Sequence, residues 1–96
     1  MFFCVLYDIS SQKTLRRIAQ LCEKAGLQRI QKSVFLGKLS QTQSNEFREA
    51  CLRWLDPQTD KLLVLPLSKA SLSRRIELGA IFPIQELLER PSVMFV

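Results

Sequence analysis

The chain has 96 residues and an ordinary globular composition, 47% hydrophobic and 24% charged, so we expect one domain with a modest core. No apolar run approaches the roughly 20 residues that a membrane-spanning helix needs, so we expect no membrane partner. The net charge of +5 comes entirely from residues 1–44, with seven basic and two acidic residues, because residues 45–96 have seven of each. This asymmetry favours a polyanionic partner, and the alternative is a basic surface that merely keeps the protein in solution.

The first two predicted elements are a buried strand and a basic helix. Residues 2–7 are apolar on both faces, which predicts a strand in the centre of a sheet. Residues 12–25 predict a helix, since four side chains recur at helical spacing on one apolar stripe, namely Leu15, Ile18, Ala19 and Cys22. Ser10 or Ser11 can cap the start of this helix, and Gly26 ends it.

The next segments predict two short strands, a second helix and a fourth strand. Residues 27–39 predict the two strands, with a kink between them. Ser40 opens the second helix with Gln43 as the partner in a capping box, and the Asp-Pro pair at residues 56–57 ends it. The predicted apolar stripe of this helix consists of Phe47, Ala50, Cys51, Trp54 and Leu55. Residues 60–67 predict the fourth strand, whose proline indicates an edge position or a pairing that has already finished.

The resulting order, β-α-β-β-α-β, predicts an α+β protein with the ferredoxin-like fold, an antiparallel four-stranded sheet with both helices on one face. We expect residues 1–79 to form this core domain and residues 80–96 to form a tail. The tail pattern predicts a short helix between Pro83 and Pro91, followed by a strand in the apolar end SVMFV. Because a short apolar strand needs a sheet edge, we expect it to add to its own sheet or to that of a partner.

Asp8 directly follows the first strand, in the turn before the basic helix. It has two interpretations: a turn or cap carboxylate that accepts backbone N–H groups ahead of the helix, or a metal ligand at the end of the sheet. A single carboxylate holds Mg²⁺ poorly, and no second acid stands at a suggestive spacing in the chain. A two-fold dimer would supply one by bringing two copies of Asp8 together.

Several basic and aromatic side chains are candidates for nucleic-acid contacts. The candidates for phosphate contacts, each of which has a solvated surface charge as its alternative, are Lys13, Arg16, Arg17, Lys24, Arg29 and Lys32. Tyr7 and Phe35 either pack in the sheet or stack on bases. No glycine-rich phosphate loop is present, and the third strand lacks the aromatic-rich motif of RNA-recognition modules that share this element order.

Histidine is absent, which removes the commonest general base and metal ligand. The cysteines Cys4, Cys22 and Cys51 lack the paired spacing of a zinc site, and the last two fall on apolar helix stripes, so we predict buried, inert thiols. The apolar start has no basic region before it and no small-residue cleavage site after it, and Asp8 interrupts it. We therefore expect no signal peptide and a cytoplasmic protein.

Three segments carry a resemblance to a known family. VLYDIS, followed by the basic helix and GLQRIQKSVF, is similar to the family's strand ending in YDI and its G-[LV]-x-R-[VI]-Q-x-S-V-F segment. PLSKASLSRRIELG is similar to a later segment, with Ser68 and Ala70 or Ser71 where cysteines often stand. Over about residues 2–79, the chain resembles the small CRISPR-associated adaptation proteins, the CRISPR-associated endoribonucleases that are partners of the CRISPR integrase.

The resemblance implies a ferredoxin-like homodimer whose C-terminal strand crosses to the partner's sheet. It implies a subunit of the spacer-acquisition complex that holds duplex DNA with the integrase before the DNA is inserted as a new spacer. It also implies, for some members, a metal-dependent endonuclease activity on single-stranded RNA or on DNA, with Mg²⁺ or Mn²⁺ held at Asp8 and its symmetry mate. The nucleic-acid contacts that it implies are Tyr7, Arg16, Arg17, Arg29, Ser33 and Phe35.

Whether this chain is an enzyme stays open at this point. One alternative is a free-standing, toxin-like, metal-dependent endoribonuclease on the same fold. Another is a small regulatory ferredoxin-like dimer without nucleic acid, against which the basic first half weighs.

Overall fold

A computed structural model describes residues 1–89, in which four strands and four helices form the predicted α+β architecture. The elements are β1 (Phe2–Asp8), α1 (Gln12–Lys24), β2 (Gln28–Gln31), β3 (Val34–Lys38), α2 (Gln41–Leu52), β4 (Lys61–Leu67), α3 (Lys69–Ser73) and α4 (Ile84–Glu89). The strands form one sheet in the order β2-β3-β1-β4, and every neighbouring pair is antiparallel. The ferredoxin-like fold is confirmed.

The first strand lies in the centre of the sheet because both of its faces are apolar. Val5 pairs with Phe35 of β3 on one side and with Val64 of β4 on the other, and Val5 is fully buried. β4 is an edge strand, as its proline indicates, since Pro66 has no N–H to donate to a neighbouring strand.

Both long helices cover one face of the sheet, which we call the inner face. Phe3, Val5, Tyr7 and Phe35 of this face form one core cluster with side chains from α1 and α2, among them Ile18, Cys22, Phe47 and Cys51. Ser11 caps α1 by accepting the N–H of Thr14 at 3.3 Å, and Gly26 follows the helix in the left-handed region, with φ of +93°. Ser40 and Gln43 form both hydrogen bonds of the predicted capping box at the start of α2.

The predicted end of the second helix is wrong. α2 ends at Leu52, with Arg53 as its C-cap, rather than at the Asp-Pro pair. Trp54 thus lies beyond the helix, in a turn where its N–H group and that of Leu55 both bond the carbonyl of Cys51. As a result, Trp54 leaves the predicted apolar stripe and is 38% exposed. The apolar spacing continued past the helix because Leu55 still packs against the core from the turn.

The opposite face of the sheet, the outer face, is partly covered by the two short helices. Phe2 and Leu36 form a second cluster there with Leu72 of α3 and with Ile84, Leu87 and Leu88 of α4. α3 was not predicted from the sequence, whereas α4 is the short helix predicted in the tail. The strand predicted in SVMFV lies outside the residues that the structure describes.

Candidate functional site

Asp8 is the last residue of the central strand, and its side chain is exposed. Ser11, not Asp8, caps α1, and the Asp8 carboxylate accepts no hydrogen bond from any group in residues 1–89. The cap interpretation of Asp8 is therefore wrong. The metal-ligand interpretation stays a prediction. The structure is compatible with it, because the Asp8 carboxylate has no other partner within the described chain.

A shallow groove of about 450 Å³ lies beside Asp8, lined by Leu6, Tyr7, Asp8, Lys61, Leu62 and Leu63. Asp8 lies directly opposite Lys61 in the β1–β4 pairing, so the two side chains share one face of the sheet. Next to them the outer face is apolar, and no element of residues 1–89 covers it: Leu63 is 53% exposed and Leu65 is 39% exposed. The short helices leave this end of the outer face open, because they pack on the cluster around Phe2 and Leu36 instead.

One protomer does not supply a complete cation site at this position. Within residues 1–89, no three acidic or cysteine side chains lie close enough to hold a metal ion. Mg²⁺ in proteins is usually held by one or two carboxylates together with water and substrate phosphate oxygens. Within residues 1–89, Asp8 is the one acidic side chain that lines this groove, and a carboxylate is the type of ligand that Mg²⁺ takes.

A second depression, which we call the basic cleft, lies on the inner side between α1 and the β2–β3 hairpin. Its volume is about 190 Å³, and it is lined by Tyr7, Leu15, Arg16, Ala19, Arg29, Lys32 and Ser33. Three elements contribute one cation each: α1 contributes Arg16, β2 contributes Arg29, and the turn after β2 contributes Lys32. In the described part of the chain the one ion pair joins Arg75 to Glu77, at 2.6 Å, so none of these three cations is neutralised by a carboxylate there.

The hairpin turn that positions this cleft has an unusual backbone. Ser33 has φ of +65°, a left-handed conformation that residues other than glycine adopt rarely. Its carbonyl accepts the backbone N–H of Tyr7 at 3.1 Å, which holds the turn against the central strand. A register shift in the β2–β3 pairing falls between Arg29 and Gln31, and such bulges re-aim the side chains near them.

Phe35 is a core residue, as the packing interpretation predicts, and its role as a nucleic-acid contact stays a prediction. Its ring is fully buried on the inner face and packs on the ring of Tyr7, with 6.4 Å between centroids. The Arg29 guanidinium lies 4.9 Å from the centroid of the same ring, because Arg29 pairs with Phe35 across β2 and β3. Phe35 therefore supports Arg29 from beneath, through a cation–π contact.

Tyr7 is also mainly a packing residue, with 8% of its surface exposed. Burial raises the pKa of its phenol above the usual value, and Arg29 and a hydrogen bond with the Ser33 side chain offset that rise in part. Because it stays protonated at neutral pH, Tyr7 lines the basic cleft as a neutral hydroxyl and not as a base.

The remaining basic residues of α1 do not join the basic cleft. Successive residues of a helix point about 100° apart, so Arg17 faces a different surface from Arg16. The Arg17 guanidinium lies 4.5 Å from the centroid of the Trp54 ring. Lys13 is exposed in the first turn of the helix, and Lys24 lines a groove of about 300 Å³ between α1 and α2. Of the basic residues of α1, only Arg16 therefore lines the basic cleft.

Sequence reasoning missed two residues of these surfaces, Lys61 and Trp54. Lys61 became notable only through the register that places it opposite Asp8. Trp54 had been assigned to the core by its spacing, and the early end of α2 brings it to the surface. A lysine at the start of the fourth strand was visible in the sequence, but no local signal linked it to the end of the first.

The fold and these surfaces define a small ferredoxin-like protein with an unneutralised basic cleft and a free carboxylate at the end of its central strand. Residues 1–75 match the family model described as CRISPR associated protein Cas2. The chain therefore belongs to the CRISPR-associated protein Cas2 family, as its resemblance predicted. Within residues 1–89, no helix has both the length and the apolar character needed to cross a membrane.

Individual relatives agree with this assignment. The chain is 33% identical over 72 residues to a CRISPR-associated endoribonuclease Cas2 of Moorella thermoacetica, covering 70% of this chain and 74% of that relative. It is 33% identical over 76 residues to another of Archaeoglobus fulgidus, covering 79% of this chain and 81% of that relative. The crystal structure of Streptococcus pyogenes Cas2 superposes with a TM-score of 0.73 at 30% identity, covering 82% of this chain and 100% of that one.

Proposed function

We propose that the chain is the nucleic-acid-binding subunit of a CRISPR spacer-acquisition complex, in which a homodimer holds duplex DNA together with the CRISPR integrase. The observation that carries the proposal is the basic cleft, where Arg16, Arg29 and Lys32 converge without a carboxylate partner in the described chain. Cations placed in this way bind phosphates by displacing condensed counterions, which contributes affinity without sequence preference. Membership of the Cas2 family supports the CRISPR context.

The homodimer is supported by the uncovered end of the outer face. Exposed leucines stand there beside Asp8, and apolar patches of this kind commonly mark protein interfaces. In a two-fold dimer the same patch covers itself, so residues near the axis meet their own copies. A second copy on this face would place two Asp8 side chains near one another. β4 is also a free edge in the described sheet, which can accept a strand from a partner.

A paired Asp8 site would give this dimer a metal-dependent endonuclease activity, in keeping with the relatives named endoribonucleases. The two carboxylates would hold Mg²⁺ or Mn²⁺, and such an ion polarises a phosphoryl oxygen and activates water for attack on phosphorus. Lys61, opposite Asp8, would offset the charge of the two carboxylates and of the bound phosphate.

Salt-dependent binding tests the nucleic-acid role directly. Arg29→Gln removes one cation of the basic cleft, and Arg48→Gln is the matched control, because Arg48 lies on α2 and donates to Asn45. With duplex DNA followed by fluorescence anisotropy, the slope of log K against log salt should fall by about 0.9 in Arg29→Gln, the value for one phosphate contact. The slope of Arg48→Gln should match the wild type. Equal slopes in all three proteins would exclude the cleft as a phosphate site.

A further inference from the structure

Trp54 and Arg17 form a surface feature that the basic cleft does not include. Trp54 lies just beyond the end of α2 and is 38% exposed. The Arg17 guanidinium lies over its ring, with its Cζ atom 4.5 Å from the ring centroid. Tryptophan is the best aromatic partner for such a contact.

The Arg17 guanidinium is free to bind an anion. In residues 1–89, neither an ion pair nor a hydrogen bond occupies the N–H groups of Arg17. A guanidinium held by a cation–π contact keeps its N–H donors, and two of them match two oxygens of a phosphate. We propose that Trp54 positions Arg17 as a fixed phosphate-binding fork, which forms a second nucleic-acid contact separate from the basic cleft. This inference rests on the proposed nucleic-acid role.

The charges around the pair favour a phosphate over an apolar partner. Lys13 lies one helical turn before Arg17, and Arg53 is next to Trp54 in the chain. The acids of the following loop are occupied within it. Asp56 accepts the N–H of Gln58 at 2.9 Å, and Asp60 accepts the N–H groups of Ser10, at 3.3 Å, and of Asp56, at 2.9 Å. Two cations therefore lie close to the pair along the chain, and the carboxylates of the loop are held by backbone N–H groups.

The position of Arg17 on α1 makes this contact distinct from the cleft. Arg16 lines the cleft toward β2, whereas Arg17 reaches toward the end of α2, because adjacent helical residues diverge by about 100°. One helix thus presents one arginine to each of two surfaces. A duplex that spans both would contact phosphates at two separate places along its backbone.

A double-mutant cycle tests the positioning role of Trp54. Arg17→Gln should weaken duplex DNA binding and lower the salt slope by about 0.9. Trp54→Leu should weaken binding about two- to tenfold, because the Arg17 side chain must then be ordered on binding. The salt slope of this variant should stay at the wild-type value, because the cation is still present. The double variant should bind no more weakly than Arg17→Gln alone, and Trp54→Phe, which keeps a ring, should lie close to the wild type. Additive losses from the two substitutions would overturn the proposal.

The single tryptophan of the chain gives a readout that needs no change at Trp54. Saturating duplex DNA should shift the Trp54 fluorescence of the wild type and leave that of Arg17→Gln unchanged. An equal shift in both proteins would overturn the proposal, as would unchanged duplex DNA affinity in every variant. The two proposals fail differently. If Arg29→Gln leaves the salt slope unchanged, the nucleic-acid role itself is refuted. If Arg29→Gln lowers the slope but the Arg17 and Trp54 substitutions show no coupling, only the second contact is refuted.

Discussion

Replacing Phe35 by alanine should destabilise the protein and not simply remove a ligand contact. The ring is fully buried between the sheet and the helices, packs on Tyr7 and lies beneath Arg29. Truncating a buried phenylalanine costs about 3–5 kcal/mol, which includes the transfer of the ring and the cavity that it leaves. A domain of this size has a free energy of unfolding of about 5–15 kcal/mol, so this one substitution removes a large part of it.

Thermal unfolding followed by circular dichroism measures this effect. For a domain of about this length, 1 kcal/mol lowers the Tm by about 4–8 °C, so Phe35→Ala should lower it by at least about 12 °C. Phe82→Ala is the matched control, because it deletes the same ring at a position that is 36% exposed and belongs to neither core cluster. Its Tm should fall much less.

The same variant separates packing from nucleic-acid contact. At a temperature well below its own Tm, folded Phe35→Ala should bind duplex DNA with a loss no greater than that of Arg29→Gln, because the ring acts on nucleic acid only through Arg29. A Phe35→Ala protein with a wild-type Tm and abolished binding would refute this reasoning. It would show that the ring reaches the ligand, contrary to its burial.

Two further predictions concern chemistry at single side chains. Asp8→Asn should abolish Mg²⁺-dependent cleavage of single-stranded RNA without changing the Tm, because the exposed carboxylate has no partner within residues 1–89; wild-type cleavage by this variant would end the catalytic proposal. Burial raises the pKa values of the Cys22 and Cys51 thiols from 9.0 to about 12, so their contribution to stability is complete below about pH 9 and is lost as the pH rises toward 12. The Tm should therefore fall across that range, and reaction of both thiols with a disulfide reagent in the native protein at neutral pH would contradict their burial.

The local pattern of the sequence was enough to predict most of the secondary structure. Apolar residues on both faces placed the first strand in the centre of the sheet, and proline placed the fourth at an edge. The serine caps gave the starts of both long helices, because a cap depends on hydrogen bonds between residues three apart. The end of α2 was not predicted correctly. The spacing of apolar residues indicates which side chains are buried, and Leu55 stays in contact with the core after the helix has ended.

The candidate site depended much more on tertiary structure. Residue type was enough to identify Asp8, the cations and the aromatic residues as candidates. It does not show which of these side chains are in contact. The pairing of β1 with β4, which are distant in the chain, placed Lys61 opposite Asp8. The β2–β3 hairpin placed Phe35 beneath Arg29, and the packing of α1 against that hairpin brought Arg16 to Lys32. Alternation along a strand divides its side chains between two faces, yet only the packing of the helices decides which face is buried. That packing left Asp8 exposed and placed the ring of Phe35 in the core.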